Sequence, residues 1–153
     1  MAGMQLISRV LLRVFVKPED DAETVRNALV RLSCWPEAMV VEDKVSVDDC
    51  FVGDCGRKVR VLRVALEKGR IKPFIAALNE ALGDERKRLV EQKETRLDED
   101  GTFYLRLAKE AWLEGKARLT DSGDCFHVSI GVLSYPKKRE LLLQNVAKIF
   151  NVG

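Results

Sequence analysis

The chain has 153 residues, 46% of them hydrophobic, which is the size and apolar content of one domain with a real core. Lysine and arginine number 26 against 24 acids, a dense but nearly balanced charge that excludes a strongly basic or acidic chain; an RNA partner would have to be met by basic residues gathered on one face. No stretch approaches the roughly 20 uncharged apolar residues of a membrane helix, and Cys34, Cys50, Cys55 and Cys125 lack the two-residue spacing of a zinc knuckle or redox dithiol. The expectation is a cytoplasmic chain with reduced thiols, no metal and no cofactor.

The apolar start is interrupted by Arg9 and Arg13 and is followed by no small-residue cleavage site, so it reads as a strand and not a signal peptide. Over 6–16 the residues alternate, with Val10, Leu12, Val14 and Val16 on one side and Arg9, Leu11, Arg13 and Phe15 on the other. Pro18 is expected to open a helix whose first turn carries Glu19, Asp20 and Asp21 and whose buried stripe is Val25, Ala28, Leu29 and Leu32; Cys34, Trp35 and Pro36 end it. Short β-like runs at 39–41 and 45–47 precede a loop at 48–56, then a strand at 58–66. Gly69 separates this strand from an amphipathic helix over 71–82, with Ile71, Phe74, Ile75, Leu78 and Leu82 at helical spacing and Gly83 as its stop.

The charge-rich stretch 84–96 is expected to hold a short helix and then a strand. Asp98, Glu99, Asp100 and Gly101 read as a hairpin turn into a strand over 102–107, followed by one or two helical turns at 109–114. A short run at 117–119 and a turn at 121–124 lead into a strand over 125–133, and Pro136 is expected to begin a last helix buried through Leu142, Val146, Ile149 and Phe150. The whole reads as a single α+β domain over 1–153, a mostly antiparallel sheet with a β-α-β-β-α start and its long helices mainly on one face.

Catalytic equipment is sparse. The single histidine, His127, sits on a strand between core-like Phe126 and Val128, and no phosphate-cradling glycine motif occurs. Asp98, Glu99 and Asp100 could hold a divalent cation, but Gly101 makes a turn the simpler account. An enzyme is therefore not expected; a small metal-dependent hydrolase or nuclease would need Asp98, Asp100 and another acid to converge.

The informative pattern lies across the strands. If the apolar residues pack under helices, Arg9, Arg13, Arg63, Tyr104 and Arg106 project from the opposite sheet face, with His127 among them. Arginines and aromatics on a sheet bind phosphates and stack on unpaired bases. Lys137, Lys138 and Arg139 form a second basic cluster at a helix start. The alternative is an assembly module whose open face, through Leu11, Phe15 and Val61, makes a homodimer or docks a protein partner.

The second half, RLDEDGTFYLRLAKEAWLEGKARL followed by a strand and SYPKKRE, resembles an archaeal family of RNA-binding proteins and predicted exosome subunits. The matching positions are Arg96 with Asp98, the junction 104–110, the segment 115–119, and the helix start 135–140; the first half agrees mainly in element order and in the glycine-bearing loop GDCG at 53–56. Ala108 departs from the acid usual at that junction, and the GDCG loop lacks a histidine and an asparagine. The resemblance implies a fold related to that of the ribosomal protein that binds 5S ribosomal RNA. It also implies RNA as partner and association with the exosome or other RNA-processing machinery; no membrane partner is expected, because no stretch is apolar enough to span a bilayer.

Overall fold

A computed structural model describes residues 6–35, 46–52, 57–66 and 68–152, with the backbone alone over 46–52 and 57–59. The elements follow in the order β1 (Ile7–Val16), α1 (Ala22–Cys34), β2 (Ser46–Val52), β3 (Arg57–Ala65), α2 (Lys68–Leu82), α3 (Glu85–Glu91), α4 (Lys93–Arg96), β4 (Thr102–Ala108), α5 (Lys109–Leu113), β5 (Cys125–Val132) and α6 (Arg139–Ile149). The five strands form one sheet in the order β2-β3-β1-β5-β4, and each neighbouring pair is antiparallel. The expected α+β class and β-α-β-β-α start are both present.

Alternation in β1 divides the sheet into two faces. Val10, Leu12, Val14 and Val16 are buried, as are Phe103, Leu105 and Leu107 of β4 and Phe126, Val128 and Ile130 of β5. They pack in one cluster with Leu29 and Leu32 of α1, Phe74 and Leu78 of α2, and Val146 and Phe150 at the end of the chain. Each such side chain contributes about 1.5–3 kcal/mol of burial free energy, which fixes strand register because a one-residue slip would turn the whole set outward. The helices cover this face, so the other face of β1, β5 and β4 carries the charged residues.

Several boundaries differ from the sequence expectation. The acids after Pro18 do not form a helical turn: the Asp20 carboxylate accepts from the Lys17 backbone N–H at 2.9 Å, while Asp21 caps α1 by accepting from the Glu23 N–H and the Thr24 hydroxyl. Residues 48–52, expected as loop, belong to β2, because the ladder with β3 supplies pairing that overrides poor strand propensity. Helix α2 begins at Lys68, ahead of the expected start.

The stretch 84–96 is two consecutive helices with no strand. Its helical face is sparse in apolar residues, Leu89 being the buried one, and Arg86 secures it by donating to the Gly83 and Phe150 carbonyls. The last helix begins at Arg139; residues 134–138 form a turn that contains a cis Tyr135–Pro136 bond, and the Ser134 hydroxyl donates to the Pro136 carbonyl. The run 39–41, Pro36 and the GDCG loop lie outside the described residues.

Strand β4 is at the edge of the sheet, yet several of its outward backbone groups are occupied. Thr102 O accepts from Asp98 N, Tyr104 O from Arg96 Nη1, and Arg106 O from Thr120 N; Ala108 N donates to Arg118 O. This cover shortens the unpaired edge that would otherwise invite association with another strand. It also draws α4 and the turn 121–124 up beside the open face.

Candidate nucleic-acid interface

Cross-strand register sets the open face. Arg13 lies opposite Arg63 of β3 on one side and His127 of β5 on the other, and His127 lies opposite Arg106 of β4. Two residues along, Leu11, Ser129 and Tyr104 form the next row; two further, Arg9, Gly131 and Thr102 form a third. Directly opposed side chains have Cβ atoms about 4.5–5.5 Å apart, so Arg13, His127 and Arg106 stand as immediate neighbours.

These neighbours form one wall of a recess of about 480 Å³, lined by Arg13, Tyr104, Arg106 and His127 from the sheet, Gln92, Thr95 and Arg96 from the α3–α4 segment, and Asp121. Each guanidinium is aimed by its own contacts. Arg96 donates twice to the Gln92 Oε1 atom, at 3.0 and 2.7 Å, a pairing one helical turn apart. Arg106 donates to the Asp121 carbonyl at 2.9 Å, and Arg13 stacks over the Phe15 ring at 5.5 Å.

Asp121 bonds Arg88 at 2.7 Å and lies 3.9 Å from Arg96. Burial lowers the Arg96 pKa from its ordinary value, and repulsion from Arg88 and Arg106 adds to the effect while Asp121 opposes it. The recess is thus a crowded set of cations, which an incoming anion would relieve.

His127 is held neutral. Burial first, then the positive charges of Arg13 and Arg106, push its pKa down to about 4. Its ring meets the Phe15 ring edge-on at 5.7 Å, and among the described residues its buried Nε2 atom has no hydrogen-bond partner. A neutral imidazole between two guanidiniums adds no positive charge to an already crowded row, and among the described residues no nucleophile is bonded to it.

Tyr104 is 43% exposed, and its hydroxyl donates to Asp98 Oδ2 at 2.9 Å. That bond raises the Tyr104 pKa. Partial burial pushes the Asp98 pKa up, but the Thr102 N–H, the Tyr104 hydroxyl and the Asp100 and Gly101 N–H groups together take it below the ordinary value. Asp98 is therefore the organiser of a turn, where Gly101 has φ +89°, a backbone conformation that residues with a Cβ rarely adopt. Among the described residues no three His, Cys, Asp or Glu gather as a metal site.

The second basic cluster is split by the structure. Arg139 donates to the Glu94, Leu97 and Asp98 carbonyls, fastening α6 to the end of α4. Lys137 and Lys138 are exposed, and Lys137 lines a groove of about 390 Å³ together with Arg9, Thr102 and Gly131. Of the apolar residues named for a docking face, Leu11 and Phe15 are half-buried and Val61 is only 3% exposed, so little of that set is available to a partner.

Arg96, Gln92 and Asp121 were not legible as site residues. The spacing of four in Arg88, Gln92 and Arg96 was the available signal, masked by reading this stretch as partly strand.

The chain matches a protein family described as RNA binding over residues 9–132. It belongs to that RNA-binding family. The RNA-binding protein PAB1135 of Pyrococcus abyssi is 31% identical over 148 residues, covering 95% of each chain. Protein AF2318 of Archaeoglobus fulgidus, a DUF54 structure, superposes with a TM-score of 0.82 at 27% identity, covering 94% of this chain and 99% of its own. Mth689 of Methanothermobacter thermautotrophicus, also DUF54, gives 0.74 at 28% identity over 95% of this chain and 99% of its own. All three relatives are archaeal, and the matched span of the RNA-binding family takes in both the arginine row and Tyr104. Among the described residues no helix is long and apolar enough to cross a membrane.

Proposed function

We propose that this member of the RNA-binding family is a cytoplasmic, non-catalytic protein that holds RNA on the open face of its sheet. The observation that carries this reading is the convergence of Arg13, Arg96 and Arg106 on one recess of that face. Arg9, Arg63 and Tyr104 extend the surface, and Lys137 and Lys138 continue it to a margin whose shape Arg139 fixes. Guanidiniums supply bidentate, charge-assisted bonds to phosphate oxygens, and Tyr104 offers a ring for a base.

The same reading places the protein beside the exosome or other RNA-processing machinery, with a fold related to that of the 5S-rRNA-binding ribosomal protein. Support for this finer statement is the motif resemblance in residues 96–140. Co-purification of tagged protein with exosome subunits, retained after ribonuclease treatment, is the outcome expected of a physical association.

RNA binding itself is tested by anisotropy titration at two salt concentrations. Arg13→Glu with Arg106→Glu is expected to weaken binding at least tenfold at low salt. Loss of two phosphate contacts would also reduce the log–log salt slope by about 1.4 for single-stranded RNA. An affinity unchanged in the double variant would refute the assignment of this face.

A further inference from the structure

We infer that the ligand is single-stranded RNA lying along β4 and β5, with its phosphates in the arginine recess and in the Arg9–Lys137 groove and an unpaired base on Tyr104 between them. The inference rests on the RNA-binding reading of this face and adds the strandedness and direction of the ligand. Its basis is the row order: Arg13, His127 and Arg106 in the first row, Tyr104 in the second, Arg9 and Thr102 in the third. Basic, aromatic and basic stations thus succeed one another in steps of two residues, about 7 Å each along a strand.

Both ends are concave and basic. At the first, the recess of about 480 Å³ is more than ten times the roughly 30 Å³ share of a water molecule, room enough for a nucleotide unit and not only for a small ion. At the second, Arg9 and Lys137 line the groove with Asp100, Thr102 and Gly131, two cations against one carboxylate. Gly131 has to be small, because an added Cβ would meet the Ser8 hydroxyl and come within 3.1 Å of Arg9 Cγ.

Tyr104 decides between single and double strands. The residue is 43% exposed, and the bond from its hydroxyl to Asp98 holds it in place. A base already paired and stacked in a duplex has no face to give it, whereas an unpaired base does. In other RNA-binding folds a four-stranded sheet stacks roughly two or three bases, a length that fits three rows. Arg96 and Asp121 line the recess beside the sheet residues, so this part of the face is concave and not flat.

The experiment compares an eight-nucleotide pyrimidine RNA with a blunt RNA duplex of the same length, titrated against the full chain by anisotropy. Single-stranded RNA is expected to bind at least tenfold more tightly. Tyr104→Ala is expected to weaken it about fivefold to a hundredfold, the range for loss of one stacked base, with little change in salt slope. Tyr104→Phe, which keeps the ring, is expected to stay within about threefold of the native chain. Arg9→Ala is expected to lower the slope by about 0.7. Circular dichroism melting of each variant separates loss of contact from loss of fold.

Equal or tighter binding of the duplex, with the arginine variants still weakened, would overturn this inference and leave the RNA-binding face standing. An unaffected Tyr104→Ala would do the same. Failure of both RNAs to bind would instead strike the reading on which it rests.

Discussion

Two clusters of charge stand on the same sheet, and one turn serves both. At the β4–α5 junction Lys109 is 4% exposed, and its ammonium donates to the Phe15 carbonyl at 2.8 Å, to Asp20 at 3.0 Å and to Asp124 at 2.6 Å. Lys17 reaches the same Asp124 at 3.2 Å. Three residues earlier, Asp121 lies among Arg88, Arg96 and Arg106, with Arg13 across the recess. In the lysine cluster two cations, Lys109 and Lys17, meet three carboxylates, Asp20, Asp124 and Glu19, and a carbonyl, and the principal cation is enclosed. Among the described residues Asp121 is the carboxylate that reaches the arginines, and the recess is open. The lesson is that a satisfied, enclosed set of charges joins elements together, whereas a crowded, open set is available for a ligand.

The largest effect is expected on the closed side. Replacing Lys109 by Met fills much of the same volume but leaves Asp20 and the Phe15 carbonyl without their cation. Breaking a buried pair costs about 3–5 kcal/mol, and the partial exposure of Asp124 points to the lower end of that range. Urea denaturation is expected to show a loss of about 3 kcal/mol, with RNA affinity of the folded fraction unchanged. A loss below about 1 kcal/mol, the scale of a surface pair, would show that this cluster is no more structural than the other.

His127 sharpens the contrast through pH. Its folded-state pKa of about 4 lies below the ordinary value of 6.5, so between these two values the unfolded chain binds more protons than the folded one. Stability is therefore complete above pH 6.5 and falls as the pH drops toward 4, by about 2–3 kcal/mol. His127→Gln is expected to flatten that part of the stability curve. In the native chain an RNA phosphate placed among Arg13, Arg96 and Arg106 would offset the repulsion that adds to burial in keeping the imidazole neutral. Its NMR titration midpoint should then rise when RNA is added; an unmoved midpoint would place the anion elsewhere. Asp124 titrates in a lower window. Burial raises its pKa, but Lys109 and Lys17 more than reverse this, so its contribution is present above the ordinary carboxylate value and is lost as the pH falls below it.

How much of this was legible in the sequence follows from where each signal resides. The open face was readable because strand alternation is local: Arg13 and Arg106 had to point away from Val14 and Leu105 whatever the rest of the chain did. The helices at 84–96 were harder to place, since Leu89 is their buried residue and two overlapping periods fit such a sparse pattern. Asp121 and Asp124 were read correctly as turn residues, but which cation each would meet depends on packing between segments about 15 to over 100 residues apart. Arg139 was equally opaque: its basic character was plain, while its three carbonyl partners belong to the end of another helix.

The smallest effect tests whether the recess is in fact held open to anions. Asp121→Asn removes one negative charge at the rim and keeps the backbone carbonyl that orients Arg106. Its bond to Arg88 is exposed, so stability should hardly change. The arginines would then face solvent uncompensated by the carboxylate, and RNA affinity at low salt is expected to rise about twofold to fivefold, with a steeper salt dependence. Combining Asp121→Asn with Arg96→Ala should cancel most of that gain, because both act through the same guanidinium environment. If Asp121→Asn weakened RNA binding, the carboxylate would have to be a brace that positions Arg88 and Arg96, and the contrast between a closed and an open cluster would reduce to a difference in burial.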